Sequence, residues 1–144
     1  MMDAIMMFVV NFSPKISVAI QAMLAACLLP FVFALLAKIT GGFRLVDNAN
    51  PREFLAKTTG LAARLNSAQT NSFEGLPMFL AAVLVAMYCF VPQNVINALA
   101  WLYVFLRMGY GMAYAFNLSL LRSVLWFLGM SCCLALFYFA MVMI

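Results

Sequence analysis

Arg64-Leu-Asn-Ser-Ala-Gln-Thr-Asn-Ser-Phe-Glu-Gly-Leu-Pro77 is the most polar stretch of an otherwise apolar chain, and it runs unbroken into the hydrophobic segment after Pro77. At about 100° per residue, Arg64, Ser67, Asn71 and Glu74 step by three, four and three and fall on one helical face. The spacing predicts a membrane-crossing helix with a polar stripe at one end. A carboxylate in lipid is costly, by at least ~2.5 kcal/mol at the helix centre, unless it is paired or wetted. The stripe therefore reads as one wall of a site, for which the rest of the chain supplies the other walls.

Composition supports the membrane reading. The 144 residues are 68% hydrophobic and 8% charged, against roughly 45–50% and 25% in soluble domains. The surface must face something apolar, and the length suits one domain of a few membrane helices over residues 1–144. The net charge of +4 comes from eight Lys and Arg spread along the chain, with no basic run; nucleic acid is excluded as the reason. The chain has no His, which removes the commonest general base and the commonest metal ligand. Cys27, Cys89, Cys132 and Cys133 sit in apolar runs without CxxC spacing and read as small buried hydrophobes, not as a metal or redox site. The twelve methionines read as packing or lipid-facing residues. Residues 1–12 are apolar but lack a basic n-region and a small-residue cleavage site, so no cleaved signal peptide is expected; residues 1–13 either lengthen the first span or lie on the outer surface.

Four spans are expected, at about 14–38, 61–91, 95–116 and 118–143. In the first, Pro14 is tolerated near the start and Pro30 predicts a kink; Lys38 marks the exit. Residues 39–60 form the only long polar connection, broken by Gly41-Gly42 and by Asn48-Ala-Asn-Pro51. Asn50 reads as an N-cap ahead of Pro51, with Glu53 in the first turn. From there a helix of about 40 residues is expected to reach Val91, long enough to project beyond the bilayer, with Gly60 as a possible interruption. Val91-Pro-Gln-Asn94 is an uncharged turn, and a second short turn surrounds Asn117 and Ser119. Lys38, Arg44, Arg52, Lys57 and Arg64 gather between spans one and two, and Arg122 lies close to the turn between spans three and four. The positive-inside rule places both connections in the cytoplasm and the termini outside. The polar stripe then opens toward the cytoplasm.

The third span carries a second stripe. Tyr103, Arg107, Tyr110 and Tyr114 step by four, three and four along one face. Three phenols and a guanidinium cannot all face lipid cheaply. An ion pair between Arg107 and Glu74, joining two helices, accounts for Arg107 and does not preclude ligand binding. For Gln21, Asn66, Thr70 and Ser72 the expected role is interhelical hydrogen bonding, worth about 0.6–2 kcal/mol each in membranes.

Asn71-Ser-Phe-Glu74-Gly-Leu-Pro77-Met-Phe79, preceded by Arg64 and Gln69, resembles the N-x-x-E-x-x-P-x-F signature of the MAPEG family, the membrane-associated proteins in eicosanoid and glutathione metabolism. Arg107-Met-Gly-Tyr110 followed by Tyr114 resembles the family's second motif, and Arg122 the basic residue that opens its fourth span. The resemblance covers essentially the whole chain. It implies a left-handed four-helix bundle assembled as a homotrimer, with glutathione sites between neighbouring subunits that open to the cytoplasmic leaflet. It also implies that Asn71 and Glu74 hold the γ-glutamyl amino end of glutathione, that Gln69 lines the pocket, and that Tyr110 and Tyr114 donate to its carboxylates. Arg122, from a neighbouring subunit, would stand near the sulfur. A thiol with a pKa near 8.5 is only a few per cent thiolate at pH 7; a fixed guanidinium raises that fraction without a histidine.

Two positions depart from the family pattern. Ser67 stands where members with such sites usually carry an arginine, and Gly75 where they often carry an aromatic residue. Arg64, one turn earlier, is expected to compensate for the first. The pattern resembles the bacterial branch, which implies a bacterial inner membrane. Three functions follow as expectations. The first is a glutathione-dependent transferase or peroxidase acting on lipophilic electrophiles or hydroperoxides. The second is a non-enzymatic trimer that binds lipid or another lipophilic small molecule. The third is a proton-coupled exporter that uses Glu74 as its carrier, which the nearby arginines disfavour by holding the carboxylate charged.

Overall fold

Lys15 holds the backbone extended (φ −80°, ψ 131°), and α1 runs from it over Ile16–Gly41. Gly42 ends the helix in the left-handed conformation (φ 73°, ψ 37°). Its N–H donates to Ile39 O, and the Phe43 N–H donates to Lys38 O at 3.0 Å, which satisfies carbonyls that a helix end leaves open. Pro30 is fully buried inside this continuous helix. The computed structural model describes residues 12–144; the expectations for residues 1–11 lie outside that range.

A 3₁₀ turn at Leu45–Ala49 follows, then α2 at Pro51–Lys57, α3 at Gly60–Tyr88, α4 at Gln93–Ala115 and α5 at Ser119–Met143. Four of these helices, α1, α3, α4 and α5, are long and apolar enough to cross a membrane. They match the four expected spans with ends shifted by a few residues.

The helix of about 40 residues is not continuous. Thr58 and Thr59 are both extended, and Gly60 takes a positive φ of 61°, a conformation that costs a residue with a Cβ about 1–2 kcal/mol. Thr58 Oγ1 donates to Leu55 O at 2.7 Å and closes α2. Asn50 does occupy the N-cap position ahead of Pro51. Its side-chain amide, however, donates to Glu53 Oε2 at 2.9 Å instead of accepting from the helix backbone.

Two long-range hydrogen-bond groups fix how the spans run. Asn97, fully buried near the start of α4, donates through Nδ2 to Ser13 O (2.6 Å) and Lys15 O (3.0 Å) and accepts from Gln93 Nε2 (2.8 Å). Trp101 Nε1 donates to Val18 O at 3.2 Å. At the other end, Arg64 Nη2, early in α3, donates to Ala115 O at the end of α4 (3.2 Å). The start of α1 therefore lies beside the start of α4, and the start of α3 beside the end of α4. The short turns make α5 antiparallel to α4. One end of the bundle thus gathers the end of α1, the start of α3, the end of α4 and the start of α5, together with the basic connection.

The core is built from small residues. Ala19, Ala22, Ala26, Ala82, Ala86 and Ala100 are buried with Phe79, Val83, Ile96 and Leu136, letting helices approach closely, as membrane interfaces do without a hydrophobic drive between them. The tip of the Phe33 ring of α1 presses on Gly111 of α4, where a Cβ would collide with Cζ and Cε1 of that ring. Cys132 and Cys133 pack into the same core.

Candidate functional site

α3 places Asn71 about three turns, ~16 Å, below its first residue. Its carbonyl accepts from Arg107 Nη2 at 2.6 Å. Its side-chain Oδ1 is buried without a partner, while Nδ2 reaches Glu74 Oε2 only at 3.4 Å. An orphan acceptor in the membrane interior is costly, so Asn71 is poised for a donor from elsewhere.

Arg107, Tyr110, Tyr114 and Arg122 form a ladder beside it, two rings between two guanidiniums. The Arg107 guanidinium lies 4.5 Å from the Tyr110 ring, and that of Arg122 lies 4.5 Å from the Tyr114 ring. The two rings meet edge to face at 5.1 Å, with hydroxyls 3.5 Å apart. Cation–π contacts of this kind contribute about 0.5–2 kcal/mol, more when desolvated. They hold both guanidiniums without neutralising them.

Asn71, Tyr110 and Arg122 line one hollow of about 250 Å³, completed by Ser123, Trp126 and Phe127 of α5. A second hollow, about 280 Å³, lies along α3 between Asn66, Ser67, Thr70, Asn71 and Glu74. Asn71 is the wall they share. Each is smaller than the ~300–1,000 Å³ of a typical ligand site.

The expected stripe on α3 is real for Ser67, Asn71 and Glu74, but not every candidate joins it. Arg64 is turned to the Ala115 carbonyl and lines neither hollow. Gln69 lines neither hollow. The Arg107–Glu74 ion pair is not formed: Arg107 is spent on a backbone carbonyl and a ring, and Glu74 is exposed on the far side of Asn71. Among the described residues the one ion pair is Lys57–Glu53. Arg122 lines the first hollow together with Asn71 and Tyr110 of its own chain. Thr70 and Ser72 do not bridge helices either; their hydroxyls bond Asn66 O (3.1 Å) and Ala68 O (2.7 Å) one turn back, a common alternative for short hydroxyl side chains.

Ser123, Trp126 and Phe127 were not anticipated. Trp126 follows Arg122 by four residues, the helical spacing that puts both on one face, and this was the available signal. Gly75 also acquires a reason: a Cβ there would stand 3.1 Å from the Tyr103 hydroxyl and 3.7 Å from Arg107 Nη2. Tyr103 and Arg107 occupy the space over Gly75 that an aromatic side chain would need.

The fold and these hollows define a multi-pass helical membrane protein with a cationic, phenol-lined site at one end of its bundle. The MAPEG family model matches residues 18–142, nearly the whole chain, and the chain belongs to that family. No curated protein matches the chain.

Proposed function

We propose that the chain is a glutathione-dependent transferase or peroxidase of the bacterial inner membrane, acting on lipophilic electrophiles or hydroperoxides from a site that faces the cytoplasm. The observation that carries this reading is the convergence of Arg122, Tyr110 and the orphan Asn71 Oδ1 on one hollow. Arg122 supplies a permanent positive charge in a low-dielectric setting, which favours a thiolate over a thiol. Tyr110 and Tyr114 offer O–H donors for carboxylates. Asn71 Oδ1 and the Glu74 carboxylate offer acceptors for the γ-glutamyl ammonium. In conjugation the sulfur gives an electron pair to the electrophilic carbon, and the displaced group leaves with the pair of the broken bond.

A homotrimer completes the site in this reading. Ser67, Thr70 and Glu74 are exposed on a membrane-crossing helix, where an uncovered carboxylate is costly in lipid, and a second copy against α3 would cover them and enlarge both hollows.

Calorimetric titration of the purified protein with glutathione, alongside the near-ultraviolet thiolate absorbance, tests the proposal. Binding with thiolate formation is expected, and Arg122→Ala should abolish the absorbance and slow conjugation at least about tenfold. Unchanged thiolate formation in that variant would remove Arg122 from the role. The second reading, a trimer that binds lipid or another lipophilic molecule without chemistry, is favoured by one observation. Ser67 turns its hydroxyl to its own helix, donating to Ala63 O at 3.1 Å, so neither it nor Gly75 replaces the contacts expected there. Thermal stabilisation by lipids and none by glutathione would select it.

A further inference from the structure

Arg107 is 4% exposed, and its Nε is buried without a protein partner. Its other contacts, the Asn71 carbonyl and the Tyr110 ring, carry no formal charge. A guanidinium in a membrane bundle with no counter-ion among the described residues needs each N–H satisfied, because uncompensated buried charge is strongly destabilising. Tyr103, also 4% exposed, stacks on Phe79 at 4.0 Å, and its hydroxyl makes no hydrogen bond among the described residues. Both side chains line one small chamber between α3, α4 and α5, walled by Gly75, Gly129 and Cys133, with a volume of about 10 Å³.

We propose that this chamber is a binding site for a single structural water. Its oxygen accepts from Arg107 Nε–H, and it hydrogen-bonds the Tyr103 hydroxyl, with the Cys133 thiol as a weaker third neighbour. The volume is at the lower bound for one water, and a buried water needs two to four polar partners, which the chamber provides. A carboxylate or other polyatomic anion does not fit. The chamber explains Gly75: the Tyr103 hydroxyl and Arg107 Nη2 stand 3.1 and 3.7 Å from the point its Cβ would take, so a methyl group would enter the water's space. Through Arg107 the water steadies the backbone of Asn71. The site stands whether or not glutathione binds.

The test is proton NMR of the full chain, arginine-labelled with ¹⁵N, in lipid nanodiscs, with the Arg107 signal assigned by its loss in Arg107→Lys. A cross-peak between Arg107 Nε–H and a long-lived water is expected. In Tyr103→Phe that proton should exchange about fivefold faster, the worth of one ordinary hydrogen bond. In Gly75→Ala the cross-peak should vanish. Absence of the water cross-peak in the wild type, or exchange unaltered in Tyr103→Phe, would overturn the proposal, as would a direct Arg107–Tyr103 hydrogen bond in a high-resolution map.

Discussion

Asn71 has two jobs that separate by atom. Its carbonyl fastens α4 through Arg107, and its side-chain oxygen is free for a ligand. Asn71→Ala keeps the carbonyl and loses the acceptor. Stability should therefore change little, while glutathione affinity should fall about tenfold, the worth of one hydrogen bond to a charged donor; titration calorimetry and a melting curve on one preparation check both halves. Gly111 is the opposite case, a residue without a functional atom on which packing depends. The Phe33 ring occupies the place of its Cβ. Gly111→Ala should destabilise the bundle by about 1–3 kcal/mol through overpacking, read as a lower midpoint temperature in detergent. Phe33→Leu in the same background should recover part of the loss.

At the level of elements, the connection before α3 is held by local polar contacts. Glu53 accepts from Lys57 and Asn50, and the Lys57 ammonium, first by hydrogen bond and then by charge, holds the Glu53 carboxyl below its ordinary value. A lowered carboxylate pKa contributes stability above the ordinary carboxylate range and loses it as pH falls through the lowered value. α2 should therefore fray first in acid, with faster amide exchange over Pro51–Lys57 below about pH 4 than at pH 7 and little change in α3. The pair is exposed, so Glu53→Gln should flatten this dependence without measurable loss of global stability. The spans were legible in the sequence because their uncharged runs match the bilayer thickness. The faces of Asn71 and Glu74 and of Tyr103, Arg107 and Tyr110 were legible because helical spacing lines them up. The partners of the arginines were not. Arg64 and Arg107 both choose backbone carbonyls, of Ala115 and Asn71, and a carbonyl has no side-chain signature to read. Asn97 was hidden for a related reason: it sits in an apolar run and its acceptors are the carbonyls of Ser13 and Lys15. The α3 break at Thr58 and Thr59 had only Gly60 to announce it.

For the whole molecule, the direction of the bundle decides which compartment supplies the polar substrate. The candidate hollows share an end with the connection that carries Lys38, Arg44, Arg52 and Lys57, and the proposed orientation, by the positive-inside rule, puts that end in the cytoplasm. The opposite turn, Val91 to Asn94, has no charge. Leu45, 95% exposed in the 3₁₀ turn, is a suitable reporter for the first end and Tyr88, 84% exposed at the end of α3, for the second. With Cys27, Cys89, Cys132 and Cys133 replaced by Ala or Ser, Leu45→Cys should react with a membrane-impermeant maleimide only after the cell membrane is opened or inverted. Tyr88→Cys should react in intact spheroplasts. The same background carries the assembly test: a photoreactive side chain at Thr70, exposed on α3, should capture a second copy of the chain. Capture of lipid alone at Thr70 would leave the polar face of α3 facing hydrocarbon and would remove the homotrimer from the proposed function. The reverse labelling pattern would turn the hollows away from the cytosol, and glutathione would then have to reach them from the other side.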